Sequence, residues 1–136
     1  MLVGCSQNPE LDSVGTPPPV SLEVGDEQYS MTMGGFSWTK KGRISSITST
    51  TDAPSPNQMA FNMEPVLVDG ESEVTINTTG DPYLSVYLWN EDAMDKEIPL
   101  QENQFTLPNE AGRYIYEVFA EWAEGEGSYT IVFEVE

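Results

Sequence analysis

Three aromatic residues on one predicted strand have the clearest capacity to recognise a ligand. In the run YLSVYLW, Tyr83, Tyr87 and Trp89 fall on one face, and three aliphatic residues fall on the other. Successive side chains of a strand point to opposite faces, so only one face can pack against a given core. With the aliphatic face inside, the aromatic face would be an exposed surface for sugar rings or for an apolar patch of a partner. Two alternatives stay open: the loop at residues 40–57 covers the aromatic face, or that face is itself buried.

A single cysteine, Cys5, ends the sequence Leu-Val-Gly-Cys. This sequence resembles the bacterial lipobox, in which small residues precede a cysteine whose thiol is acylated. Under this interpretation residues 1–5 are the end of a lipoprotein signal peptide, and Cys5 carries the lipid. Residues 6–19 lack hydrophobic periodicity and end in three prolines, so we expect a flexible tether there. The alternative is a chance match, with Cys5 an ordinary thiol.

The composition argues against most catalytic chemistry. The chain has no histidine, which removes the usual general base and the commonest zinc ligand. One cysteine cannot form an intrachain disulfide. With 23 acidic against 5 basic residues, the net charge of −18 repels nucleic acids. We therefore expect no catalytic residue, no cofactor, no metal ion and no nucleic-acid partner.

Two acidic turns, at residues 69–73 and 91–95, each carry three carboxylates. Calcium takes about six to eight oxygen ligands from loops of this kind. Neither turn fits the EF-hand pattern, and a solvated hairpin turn is the simpler interpretation. Paired carboxylates also carry out glycoside hydrolysis, so a wall-active hydrolase is kept as the least favoured alternative.

From Val20 onward apolar and polar residues alternate, with turn sequences rich in Gly, Pro and Asp between the runs. This pattern predicts an all-β antiparallel sandwich of about eight strands and no helix. The clearest inward faces alternate from Tyr114 to Trp122 and from Tyr129 to Val135. Tyr114 also resembles a tyrosine corner at the start of a late strand.

Several local features complete the expected fold. One strand should include residues 28–33 and end at Gly34-Gly35, and residues 40–57 should form a long loop with a short strand near 44–47. Residues 90–95 should form a polar turn. We expect Trp38 and Trp122 in the core. Four methionines should fill gaps there: Met31, Met33, Met59 and Met63.

The run Gly112-x-Tyr114-x-Tyr116-x-Val118-x-Ala120-x-Trp122, followed by Gly125 and Ser128-Tyr129, resembles the C-terminal signature of small Firmicutes surface lipoproteins with an immunoglobulin-like domain. Residues 52–56 and 35–38 are similar to the same group. Similar segments occur in the extracytoplasmic parts of regulators that resemble penicillin-sensing metallopeptidase receptors. The resemblance covers residues 20–136 and implies an immunoglobulin-like β-sandwich of the cell envelope. It implies no agreed activity, and this chain lacks the cysteine pair found in many members.

Together these observations predict a monomeric, non-catalytic binding or interaction module on the outer face of a Gram-positive cytoplasmic membrane. The membrane is contacted only through the lipid on Cys5. The expected partner is a cell-wall polymer or an envelope protein, contacted through Tyr83, Tyr87 and Trp89. The main alternative is a protease-inhibitor-like module that uses residues 40–57 as a wedge.

Overall fold

A computed structural model describes residues 16–41 and 46–136. Within these ranges eleven strands and one short helix form two sheets that pack around a common core. The elements are β1 (Ser21–Val24), β2 (Glu27–Ser30), β3 (Thr32–Lys41), β4 (Ser46–Thr51), α1 (Pro56–Ala60), β5 (Val66–Val68), β6 (Glu73–Asn77), β7 (Tyr83–Trp89), β8 (Met94–Ile98), β9 (Gln104–Thr106), β10 (Gly112–Trp122) and β11 (Gly125–Val135).

The four-stranded sheet has the order β2-β1-β6-β9. The seven-stranded sheet has the order β4-β3-β11-β10-β7-β8, and β5 pairs in parallel with the end of β11. The succession β1-β6-β9 facing β7-β10-β11 matches strands A-B-E facing C-F-G of an immunoglobulin-like sandwich. The predicted all-β, immunoglobulin-like fold is therefore confirmed, with eleven strands in the described ranges where about eight were expected.

The predicted tyrosine corner is present at the start of β10. The phenolic hydroxyl of Tyr114 donates a 2.7 Å hydrogen bond to the carbonyl oxygen of Glu110. This bond ties the loop that follows β9 to the strand that this loop leads into.

The longest pairing joins β10 to β11 through eleven consecutive residue pairs, from Gly112–Val135 to Trp122–Gly125. The inward faces of both strands are those predicted by alternation. Their buried members are Tyr116, Val118, Ala120, Trp122, Tyr129, Ile131, Phe133 and Val135. Burying one large apolar side chain of this kind contributes about 1.5–3 kcal/mol, so this hairpin supplies much of the core.

Residues 28–33 do not form one strand. β2 pairs with β1 in the four-stranded sheet, whereas β3 pairs with β11 in the seven-stranded sheet. Met31, which lies between β2 and β3, is buried, and its amide donates to the carbonyl oxygen of Val20 at 3.0 Å. The chain crosses between sheets at this residue. The apolar alternation continues through the crossing, so the pattern could not reveal it.

Gly34 and Gly35 lie inside β3, so the strand does not end there, but its register with β11 shifts at these two residues. A Cβ at Gly34 would lie 3.2 Å from the Sδ atom of Met59, and one at Gly35 would lie 3.2 Å from the carbonyl oxygen of Thr51. The two glycines therefore permit close approach of neighbouring chain segments.

The segment at residues 40–57 is more regular than expected. Residues 46–51 form β4, which pairs with β3 in six residue pairs, and α1 begins at Pro56. Ser55 is the N-cap of α1, and its amide donates to Oε1 of Gln58 at 3.2 Å. The expected absence of helix is therefore wrong, because five residues are too few to show a helical period. Of the short strand expected near residues 44–47, positions 44 and 45 lie outside the described residues.

β8 was missed because it lacks an apolar alternation. All of its side chains from Met94 to Glu97 are exposed, and only Ile98 is half-buried. The expected turn at residues 90–95 is correspondingly shorter, since β8 begins at Met94.

Trp122 is buried in the core, as predicted, and its indole N–H donates to the carbonyl oxygen of Thr79 at 2.7 Å. Trp38 packs against it edge-on, with ring centroids 5.5 Å apart. Met31 and Met33 contribute to the core as expected. Met63 instead packs in a separate cluster on the outside of the seven-stranded sheet.

The three prolines at the end of the proposed tether contact the sandwich. Pro17 is buried, and the carbonyl oxygen of Pro19 accepts a 2.9 Å hydrogen bond from the Thr78 hydroxyl. The carbonyl oxygen of Pro18 accepts from the hydroxyl of Tyr129. Burial raises the pKa of Tyr129 to about 12, which keeps this hydroxyl protonated as a donor.

Replacing Tyr114 with Phe should lower the free energy of unfolding by about 1 kcal/mol, because it removes only the tyrosine-corner hydrogen bond. Urea denaturation measures this loss. The control is Tyr83→Phe, which changes an exposed ring and should leave the unfolding midpoint in place. Equal midpoints for the two variants would contradict a stabilising role for the corner.

Replacing Gly125 with Ala should destabilise the domain by about 3 kcal/mol, because overpacking here cannot be relieved by a rotamer change. The new Cβ would collide with the carbonyl oxygen of Ser37 and lie 2.8 Å from the Cα of Trp38. Gly25→Ala is the control, since a Cβ there meets nothing within 4 Å. At its positive φ of 60° it should cost only about 1 kcal/mol. Thermal or urea unfolding measures the loss of stability in both variants, and equal losses would contradict the overpacking expected at position 125.

Candidate functional site

The two faces of β7 are divided between the core and the outside of the molecule. Leu84, Val86 and Leu88 pack in the core between the sheets, and Val86 is fully buried. Tyr83, Ser85, Tyr87 and Trp89 therefore lie on the opposite side of the seven-stranded sheet, which we call the outer face. The sequence left the orientation of β7 open, and in the structure its aliphatic side faces the core.

The three candidate aromatics differ in their accessibility. Tyr83 is 70% exposed, whereas Tyr87 and Trp89 are half-buried. Only the end of β7 at Tyr83 is thus an open aromatic surface.

The Trp89 end of β7 is partly covered. Trp89 packs against a second apolar cluster formed by Ala60, Ile115 and Val132, and α1 supplies Ala60. Arg113 donates a 2.7 Å hydrogen bond to the carbonyl oxygen of Ala60 and so holds the last turn of α1 against β10. The covering element is this helix rather than the loop that the sequence suggested.

Glu117 fixes the position of Trp89. The indole N–H of Trp89 donates to Oε1 of Glu117 at 2.9 Å, and the Ser128 hydroxyl donates to Oε2 at 2.6 Å. Hydrogen bonds to a charged acceptor are stronger than those between neutral groups. Trp89 is therefore held both by packing and by this carboxylate, which makes it a structural part of the outer face.

Phe119 is an aromatic member of the outer face that the sequence analysis did not single out. It pairs with Ser85 on β7 and with Ser128 on β11, and it is half-buried. In this register it is the diagonal neighbour of both Tyr83 and Tyr87. The sequence could have indicated that Phe119 faces outward, because its position on β10 alternates with the predicted inward residues.

Carboxylates surround the exposed aromatic end. Tyr83 pairs with Glu121 on β10, and Tyr87 pairs with Glu97 on β8. Glu121 in turn pairs with Glu126 on β11. Side chains directly opposite each other across two strands have Cβ atoms about 5 Å apart. The open aromatic surface is therefore also strongly negative.

A groove of about 350 Å³ runs beside Tyr83. Its lining includes Pro82, Tyr83, Ser85, Glu97, Pro99 and Glu102. A smaller groove of about 260 Å³ lies at the other end of β7, between Trp89 and Arg113. Both recesses lie at the ends of β7, and the first also includes Leu84, Ile98 and Leu100, which pack against the core. An exposed aromatic ring lines only the first recess.

The turn at residues 69–73 is not the hairpin that the sequence suggested, because it carries the chain from β5 in the seven-stranded sheet to β6 in the four-stranded sheet. The second acidic turn does join an antiparallel pair, β7 and β8. The Ser72 hydroxyl donates to the carbonyl oxygen of Asp69 at 2.7 Å, and Oδ1 of Asn90 accepts from the amides of Asp92 and Ala93. Within residues 16–41 and 46–136, no three acidic, cysteine or histidine side chains come together as a metal-binding group. The same part of the chain has no helix long and apolar enough to cross a membrane.

Cys5 lies outside the described residues, so its lipidation stays a prediction. Comparison with protein-family models, with curated proteins and with solved structures gave no match for this chain.

Replacing Trp89 with Ala should lower the free energy of unfolding by about 2–3 kcal/mol, because it empties the apolar cluster under α1 and leaves Glu117 with one donor fewer. Tyr83→Ala should cost less than about 0.5 kcal/mol, since that ring is exposed. Urea denaturation compares the two variants directly. A larger loss at Tyr83 than at Trp89 would show that the two ends of β7 have been assigned the wrong way round.

Proposed function

We propose that this domain is a non-catalytic binding module of the cell envelope, which contacts its partner through the outer face of β7. One observation carries the proposal: the aliphatic side of β7 fills the core, so its aromatic side is turned outward. Tyr83 is left 70% exposed, with the half-buried rings of Tyr87 and Phe119 beside it. Exposed aromatic side chains on a folded surface are typical of sites that bind sugars or protein partners.

The rigidity of this face favours a recognition role. β7 lies inside the seven-stranded sheet and is paired with β10 on one side and with β8 on the other. A paired backbone needs no ordering when a ligand binds, and a tyrosine ring has only two side-chain torsions to fix, which keeps the entropic cost of association low.

The location in the envelope rests on the sequence pattern at Cys5 and on the tether that follows it. A lipid there would hold the domain at the outer face of the cytoplasmic membrane. Partners within reach of such a tether are a cell-wall polymer or another envelope protein.

The state of the carboxylates supports a non-catalytic role. Catalytic acids of glycosidases are placed in apolar pockets that raise their pKa. Here Glu97, Glu121 and Glu126 are exposed, and both oxygens of Glu117 already accept hydrogen bonds. The inhibitor alternative stays a prediction: residues 46–51 of its proposed wedge form a paired strand, and residues 42–45 lie outside the described residues.

Titration of the ¹⁵N-labelled domain with soluble peptidoglycan fragments tests the proposal by NMR. We expect the largest shifts at Tyr83, Tyr87 and Phe119. The Tyr83→Ala/Tyr87→Ala double variant should bind at least about tenfold more weakly, a loss of about 1.4 kcal/mol. Phe61→Ala is the matched control, because Phe61 is an aromatic residue that is 85% exposed at the end of α1.

A partner that is a protein would be found instead with a photo-crosslinking amino acid at position 83 in the intact envelope, with position 61 as the control. A specific adduct from position 83 alone would support the proposal. Two results together would contradict it: no shift on the outer face with the fragments, and no adduct that distinguishes the two positions.

A further inference from the structure

We infer that the groove beside Tyr83 binds a lysine side chain presented by an extended peptide. This inference rests on the proposed function, because it assigns a ligand class to the recess at the Tyr83 end of the same strand. It goes beyond that function by selecting a cationic peptide over a neutral sugar or an anionic polymer.

The lining of the groove combines two kinds of surface. Tyr83, Pro82 and Pro99 supply an aromatic ring and two apolar rings, and the half-buried Leu84, Ile98 and Leu100 add aliphatic surface. Glu97 and Glu102 supply two carboxylates. Tyr83 is 70% exposed, so its ring is open to a ligand that enters from solvent.

Lysine has the chemistry that matches this combination. Its aliphatic stem lies readily along apolar surface while its ammonium group stays with polar partners. An ammonium group is also attracted to the face of an aromatic ring and to carboxylates. A ligand with only one of these properties would leave either the apolar residues or the carboxylates without a matching group.

The charge around the groove extends this preference. Glu121 lies opposite Tyr83, and Glu126 lies opposite Glu121, so the negative surface continues across β10 and β11. The whole chain carries 23 acidic and 5 basic residues. A cleft lined by charges of one sign concentrates ligands of the opposite sign and repels those of its own. Phosphate-rich or acidic polymers are therefore poor occupants.

The backbone that carries Glu102 belongs to a hydrogen-bonded turn. Gln101 and Gln104 exchange two backbone hydrogen bonds, of 3.0 and 2.9 Å, on either side of it. The carbonyl oxygen of the next residue, Asn103, accepts from the amide of Ile76 at 2.9 Å. The backbone at Glu102 is therefore set before a cation binds, and only its exposed side chain has to be ordered.

NMR titration with three short peptides tests the inference. The probes are blocked Gly-Lys-Gly, the same peptide with norleucine for lysine, and the same peptide with an acetylated lysine. We expect the lysine peptide to shift the signals of Tyr83, Glu97 and Glu102, and the two neutral peptides to bind at least about fivefold more weakly. Binding of the lysine peptide should also weaken as salt is added.

Charge-neutralising variants supply the second readout. The Glu97→Gln/Glu102→Gln double variant should lose at least about fivefold in affinity for the lysine peptide, while the pair Glu64→Gln/Glu110→Gln, two exposed carboxylates elsewhere, should retain it. A preserved ¹H–¹⁵N spectrum shows that each variant is folded. Equal binding of lysine and norleucine peptides, or no effect of the Glu97/Glu102 change, would overturn the inference.

The outcomes separate this inference from the proposed function. If peptidoglycan fragments shift Tyr83 but the lysine peptide does not, the binding module stands and its cationic preference is wrong. If neither probe shifts the outer face and no adduct forms at position 83, both are wrong.

Discussion

The pairing of β10 with β11 is the interaction on which the rest of this structure depends. Eleven consecutive residue pairs hold the two strands together, and their neighbours attach to one or the other of them: β7 to β10, and β3 and β5 to β11. The inward side of the pair supplies Tyr116, Val118 and Phe133 to the core. Its outward side supplies the apolar surface on which α1 rests. One hairpin thus organises both the core and the outer face.

The register of β7 against β10 decides which surface is available to a partner. Val86 lies opposite Val118 in the core, and this pairing places Tyr83 and Tyr87 on the outside. Because side chains alternate, a slip of one residue would bury the aromatic side and expose the aliphatic side. The loss of apolar burial opposes such a slip. The proposed binding surface is therefore maintained by core packing, with no requirement for stabilising contacts of its own.

Much of the fold could be predicted from alternation, including the inward faces of β10 and β11 and the tyrosine corner at Tyr114. The site was predictable only as a set of residues on one side of a strand. Trp89 is less exposed than Tyr83 because α1 and Glu117 contact it. Glu117 is 28 residues away from Trp89 in the sequence. Strand alternation carries no information about contacts at that separation. The crossing between sheets at Met31 could not be predicted either, because one continuous apolar alternation covers strands that belong to two different sheets.

The most direct test of the account is the accessibility of β7 side chains to a soluble paramagnetic probe, measured by NMR on the free domain. The account predicts strong line broadening for the ring of Tyr83, weaker broadening for Tyr87 and Trp89, and little for the buried rings of Tyr116 and Tyr129. It also predicts protected methyl groups at Val86. A protected Tyr83 ring together with broadened Val86 methyl groups would mean that β7 faces the other way, and the outer face would no longer be the site.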